Sequence, residues 1–213
     1  MGDAFLIMNL WKNYKNILFD TIPDMVKNYE WANWEGKDTH LVANLYTQEY
    51  LIKSREVEIW SDTSCIYNNI LYPKTGSNLP CFGMDLMAFN KNRVIIVFDF
   101  QHPAEHYLLT VPGLPIAEKE YRFFEMGNHF SQNIFVRYCK MDEVDEHLDM
   151  FQKYLNVYYD MLYETKPTEY SVSDYKDFDD YMTRLDPVGA YLKGKFGKEK
   201  SESLVHDFLF CYK

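Results

Sequence analysis

The stretch CFGMDLMAF, residues 81–89, decides the fold. Side chains alternate along a strand, so Phe82, Met84, Leu86 and Ala88 share one face. Gly83, Asp85, Met87 and Phe89 share the other. Both sets are mostly apolar, which predicts a central strand of a sheet covered on both sides. Five more segments read as strands: HLVANLYT, REVEIW and SCIYNNILY before it, RVIIVFDF and NIFVRY after it. They are short and rich in β-branched and aromatic residues. Their connections are mostly too short for a crossover helix, so the neighbours are expected to be antiparallel.

The two ends of the chain carry a different period. Leu10, Tyr14, Ile17 and Leu18 follow helical spacing, and the first 30 residues read as helical, interrupted at Pro23. From Met141 onward, Val144, Leu148, Phe151, Leu155, Tyr158 and Leu162 recur every three or four residues and predict one long helix. Tyr175, Phe178 and Met182 predict a shorter one. Asp186-Pro187 starts another, with Asp as cap and Pro in the first turn. Phe208 and Phe210 are expected to close the core. The order is helix, antiparallel sheet, then helices. It predicts an α/β fold, a three-layer α/β/α sandwich with a central antiparallel sheet flanked by helices. No linker or repeat divides residues 1–213, so one domain is expected.

Composition narrows the function. The chain has 213 residues, 47% hydrophobic and 17% aromatic, enough to fill a large core. Acids outnumber bases 32 to 22, a formal charge of −10, which argues against general nucleic-acid binding. No apolar run is long enough for a membrane helix, and Met1–Leu10 lacks the basic start of a signal peptide. A cytoplasmic monomer is expected. Cys65, Cys81, Cys139 and Cys211 are too scattered for a zinc or iron–sulfur site. His102 and His106 are separated by Pro103, so a helical metal pair is not expected. No glycine-rich phosphate loop is present, so no tightly bound nucleotide cofactor is expected. Electrons for a redox reaction would then come from a protein partner.

Polar groups in apolar surroundings mark the candidate chemistry. Asp85 on the central strand either has a structural partner or holds a proton near neutrality and donates it to a buried substrate. Asn68 and Asn69 point to opposite faces, so at most one shares a pocket with Asp85. Asp99 reads as a second buried acid or as a turn residue near a strand end. Asp186 reads as a helix cap, or as a pocket acid if that helix end abuts the sheet. Arg137, Lys193 and Lys195 are either surface charges or holders of an anionic ligand's carboxylates.

Four segments, NNILYPKTGSNLPCFGMDLMAF, IIVFDFQHP, NIFVRY and RLDPVGAYLKGKFG, match in order and spacing a known pattern over nearly the whole chain. The chain resembles the ferredoxin-dependent bilin reductases, most of all their phage-type phycoerythrobilin-forming members. The resemblance implies an open-chain tetrapyrrole between the sheet and the C-terminal helices. It implies biliverdin IXα as substrate, ferredoxin as single-electron donor, protein acids as proton donors, bilin radicals on the way, and no metal or flavin. Product transfer to a lyase or phycobiliprotein would follow.

Residue by residue, Asp85 matches the family's central-sheet catalytic aspartate, and Asp186 the helix aspartate that serves a later protonation. Asn68 stands where phycocyanobilin-forming members carry a histidine and phycoerythrobilin-forming members an asparagine. Glu56 stands where the phycocyanobilin type has a glutamate for vinyl reduction. The amide at 68 weighs more, since it cannot exchange a proton as imidazole does. The expected reaction is the four-electron reduction of biliverdin to phycoerythrobilin through 15,16-dihydrobiliverdin. Alternatives are a two-electron reductase that stops at 15,16-dihydrobiliverdin, a phycocyanobilin-forming reductase, and a bilin carrier without activity. Arg137, Lys193 and Lys195 would hold the bilin propionates. Acidic ferredoxin and a chain of −10 also require a local positive patch.

Overall fold

A computed structural model describes residues 9–74, 79–104, 107–121, 128–165, 175–185 and 188–211. Seven strands form one sheet in the order in which they occur: β1 (Val26–Glu35), β2 (His40–Gln48), β3 (Leu51–Trp60), β4 (Cys65–Pro73), β5 (Cys81–Asn90), β6 (Arg93–Gln101) and β7 (Phe135–Cys139). Every adjacent pair is antiparallel. Short connections such as Lys91-Asn92 leave no room for a crossover, which is why sequence neighbours become sheet neighbours.

Helices cover both faces. On one face lie α1 (Lys12–Thr21), a 3₁₀ turn (Met141–His147) and α2 (Leu148–Glu164). On the other lie α3 (Lys176–Leu185), α4 (Gly189–Phe196), α5 (Lys198–Ser203) and a π-helical turn (Leu204–Leu209). The α/β/α expectation holds. The expected helical reach of the first 30 residues does not, because α1 ends at Thr21 and Val26–Glu35 is a strand. Pro23 stops the helix, and the next segment gains its backbone partners from β2, with Val26 opposite Thr47. This edge strand is mostly exposed, so it lacks the apolar alternation that betrayed the others.

The α1/α2 face is filled. Phe82, Phe98 and Phe100 of the sheet meet Phe151, Tyr154 and Tyr158 of α2, all wholly buried. Phe98 stacks on Phe135 with centroids 4.4 Å apart and meets Tyr154 edge-on at 4.8 Å. Such pairs add to plain area burial. The buried hydroxyls are satisfied: Tyr154 donates to the Asn133 carbonyl at 2.5 Å and Tyr14 to that of Val144 at 2.7 Å. Between β6 and β7, Asn133 clamps the long excursion. Its carboxamide accepts from Val111 N–H at 2.6 Å and donates to the carbonyls of Val111, Leu114 and Pro115.

Phe151 contacts the rings of Tyr14, Phe82 and Phe98. Phe151→Ala should therefore destabilise the protein by about 3–5 kcal/mol, read as a lowered midpoint in chemical denaturation. A loss below about 1 kcal/mol would contradict this account of the filled face.

Candidate active site

Strand alternation puts Asp85 on the opposite face of β5 from that aromatic core. Its register partners are Asn68 on β4 and Val97 on β6. Here the short helices do not close fully on the sheet, and a cavity of about 400 Å³ remains. Its floor is sheet: Val57, Ile59, Ile66, Ile70, Met87 and Ile95. Its roof is Met182 of α3, Tyr191 and Leu192 of α4, and Leu204, Leu209 and Phe210 of the C-terminal segment. Apolar walls with few polar groups are the usual make-up of a small-molecule site.

The polar groups on the floor are few. Asn68 Nδ2 donates to Asp85 Oδ1 at 2.6 Å and to the Met84 carbonyl at 3.3 Å. Asp85 is half-buried, its open side being the cavity itself. Burial raises its carboxyl pKa above the ordinary value, and the Asn68 hydrogen bond only partly opposes that. An acid so placed keeps its proton to higher pH than a surface aspartate. Asn68 Oδ1 and Gln101 Oε1 are buried without a hydrogen-bond partner. Both residues line the cavity, so both oxygens are acceptors for a ligand's N–H. The Gln101 carboxamide lies over Gly83, where a Cβ would come within 2.6 Å of it. A larger residue at 83 would push the glutamine carboxamide aside.

The structure separates the other candidates. Asn69 points to the opposite face and accepts from Ser54 Oγ at 3.0 Å. Glu56 also lies on that opposite face, wholly buried beneath α1. It accepts from Asn44 at 3.0 Å, Tyr46 at 3.1 Å and Tyr67 at 3.0 Å, with Lys15 at 3.9 Å. The expectation that Glu56 touches the substrate is corrected, since strand parity turns it away from Asp85. Arg137 is corrected in the same way. It is opposite Ile96 on the α2 face, exposed, with its guanidinium over the Phe135 ring at 4.4 Å. Lys195 is paired with Asp38 at 3.1 Å, and Lys193 is exposed beside a separate small cleft. Neither lines the main cavity: Lys193 faces the small cleft, and the ion pair with Asp38 holds the Lys195 ammonium at the surface. Asp186 and His106 lie outside the described residues. Asp99 is buried and accepts from the Ser131 N–H at 2.9 Å and from the Ser131 hydroxyl, which ties the loop before β7 to β6.

One charged residue was missed from the sequence. Among the described residues, the cavity's only charged side chains are Asp85 and Arg93. Arg93 opens β6, is exposed, and sits over the Phe89 ring at 5.0 Å. The signal was available in parity. Residues 85, 87 and 89 share a face, and the two-residue turn after Asn90 returns the chain with 93, 95 and 97 on it. Among the described residues, no group of three His, Cys, Asp or Glu side chains could hold a metal. No helix there is long and apolar enough to cross a membrane.

A family model described as ferredoxin-dependent bilin reductase matches residues 21–211. The chain belongs to the ferredoxin-dependent bilin reductases. As a bilin reductase it is an oxidoreductase that takes its electrons from ferredoxin. It is 28% identical over 186 residues to the 15,16-dihydrobiliverdin:ferredoxin oxidoreductase of Nostoc punctiforme, covering 78% of this chain and 76% of that protein. It is 26% identical over 237 residues to the phycoerythrobilin:ferredoxin oxidoreductase of Prochlorococcus marinus, covering 97% and 90%. Its fold is like that of tomato phytochromobilin synthase, solved in complex with biliverdin. The TM-score is 0.70 at 14% identity, over 94% of this chain and 82% of that one.

Burial raises the Asp99 pKa to about 8, with both Ser131 hydrogen bonds opposing it. The folded protein then holds a proton that the unfolded chain releases near pH 4. The contribution of Asp99 to stability is full below that pH and is lost as pH rises towards 8. Asp99→Asn lacks this titration. Urea denaturation at a series of pH values should show the variant gaining on the wild type between about pH 4 and 8 and holding level above. A gap independent of pH would contradict the assignment.

Proposed function

We propose that this bilin reductase carries biliverdin IXα through two two-electron reductions, first to 15,16-dihydrobiliverdin and then to phycoerythrobilin. The observation that carries the reading is the Asn68–Asp85 pair on the cavity floor. Each two-electron step adds two protons with the two electrons from ferredoxin. The raised pKa of Asp85 supports its role as first proton donor. A protonated tetrapyrrole accepts an electron more readily, because the electron meets a positive charge. Asn68 holds Asp85 in place and offers its free oxygen to a ring N–H. Having no titratable proton, it does not relay one.

That distinction sets the product. Without an imidazole beside Asp85 the exocyclic vinyl route lacks a relay, and the proton goes to the C15 bridge. Glu56, the one residue that favoured vinyl reduction, is engaged on the other sheet face. Comparable identity to a relative named for 15,16-dihydrobiliverdin and one named for phycoerythrobilin supports both steps in one chain. The unpartnered oxygens of Asn68 and Gln101 suit the N–H groups of pyrrole and lactam rings. Arg93 suits a propionate. It lies four residues along β6 from Val97, the partner of Asp85, a span of about 13 Å. An extended tetrapyrrole with its acid arm covers that span.

An anaerobic reaction with biliverdin, reduced ferredoxin and a ferredoxin-reducing system, resolved by chromatography, tests the product. Phycoerythrobilin is expected. A halt at 15,16-dihydrobiliverdin would reduce the reading to the first step, and phycocyanobilin would refute the argument from Asn68. Asp85→Asn should keep pigment binding and lose about 10²–10⁴ in turnover, the usual worth of a positioned acid. Full activity would remove Asp85 from the chemistry. Arg93→Gln should weaken biliverdin binding by about tenfold or more, the loss of one charge-assisted hydrogen bond. The same change should leave the dimethyl ester of biliverdin bound as well as by the wild type. Equal losses for both pigments would exclude a role in holding the propionate.

A further inference from the structure

Beside the cavity, and not part of it, lies a buried cluster of charge that the proposed chemistry does not use. Arg55 of β3 and Asp179 of α3 are buried to 1% and 0% exposure. Their charged atoms are 4.0 Å apart, and Tyr72 of β4 joins them. Arg55 Nη2 donates to the Tyr72 hydroxyl, which donates to Asp179 Oδ1 at 2.6 Å. Arg55 Nη1 donates to the Phe208 carbonyl at 2.9 Å. Lys53, two residues back on the same strand, donates to the Cys211 carbonyl and lies 4.9 Å over the Tyr72 ring.

Removing charges from water costs several kcal/mol each, and apolar packing of equal volume is often as stable or more so. The cluster is therefore poorly explained as a source of stability. What it does have is position. Lys53 and Arg55 hold the carbonyls on either side of Phe210, and Phe210 roofs the cavity. The Arg55 guanidinium lies 5.6 Å from the centre of the Phe210 ring. Asp179 is one helical turn before Met182, so both lie on one face of α3, and Met182 also roofs the cavity. The intervening π-helical turn supplies Leu204 and Leu209. π-Turns have wider, less regular bonding than α-helix and are frequent at functional sites. Two short elements thus have their height above the sheet fixed from below.

We propose that Arg55 and Asp179 are positioning residues of this enzyme: through the Phe208 carbonyl and α3 they hold Phe210 and Met182 over the Asn68–Asp85 floor, and so set the conformation in which a flexible open-chain tetrapyrrole is bound. The proposal deepens the substrate reading above and rests on it. An open-chain tetrapyrrole rotates about its methine bridges, so roof height decides which rotamer fits. The absorption of a bilin follows that rotamer and reports it directly.

The test is the double variant Arg55→Met with Asp179→Asn, which removes two opposite charges together and leaves the net charge of the cluster unchanged. Tyr72 still has an acceptor at residue 179. The thermal midpoint should stay within about 5 °C of the wild type. The KM for biliverdin should rise about tenfold or more, as expected from the loss of buried hydrogen-bonded anchors, with kcat changed much less. The long-wavelength band of bound biliverdin should broaden or shift. Arg55→Lys, which can reach one acceptor but not both, should fall between. A folded double variant with wild-type KM and spectrum would overturn the proposal and leave the cluster purely structural. If the double variant does not fold, Tyr72→Phe, which removes only the connecting hydroxyl, decides by the same readouts. Wild-type protein that leaves the biliverdin spectrum unchanged would refute the substrate reading itself, and the role of the roof with it.

Discussion

A sheet covered on both faces holds the Asp85 carboxyl away from bulk water, and the rest of the site depends on that. Had the C-terminal helices been absent, Asp85 would face solvent and ionise as any surface aspartate does. With them in place, burial raises its pKa, and Asn68 supplies a hydrogen bond that keeps it oriented. The same layering that makes the cavity raises the pKa of its acid. Fold and chemistry are therefore hard to separate here: loosening the roof would both open the cavity and lower the acidity threshold of its acid.

The two faces are built differently, and the difference explains where the cavity forms. On one side the 17-residue helix α2 lays a continuous aromatic stripe against Phe82, Phe98 and Phe100, and its buried hydroxyls are satisfied. On the other side three helices of six to ten residues cannot present such a stripe. They bridge a gap instead, and the gap is the cavity. Buried charge is distributed in keeping with this. On the filled face, Glu56 is saturated by three neutral donors from surrounding strands. On the open face, the Arg55–Asp179 pair ties the roof to the sheet beside the cavity.

A chain of net charge −10 that takes electrons from ferredoxin needs positive ground near its pigment. Arg93 at the cavity and Lys91 in the adjoining turn are exposed positive charges on the β5–β6 hairpin. Their exposure follows from the hairpin reaching the end of the sheet. Arg137, Lys193 and Lys195 lie elsewhere, so the positive charge beside the cavity is smaller and more local than a count of basic residues suggests.

The sequence by itself determined six of the seven strands, their antiparallel order and the place of Asp85 among them. Those are local properties: alternation in CFGMDLMAF, short connections, and a three-four period after Met141. It also settled that Asn68 and Asn69 could not share a face, since parity is exact along a strand. Parity between strands is another matter. Which face Glu56 and Arg137 take depends on register, and register is set by cross-strand pairing and bulges that no single segment carries. The same holds for Arg93, whose link to Asp85 runs through a turn, and for Arg55 and Asp179, 124 residues apart by their numbers. The edge strand β1 escaped notice because an exposed strand needs no apolar alternation. Local pattern chose the elements and the acid. Only tertiary packing decided which charges the cavity sees, because a buried charge is tolerated only where distant parts of the chain meet it with a partner.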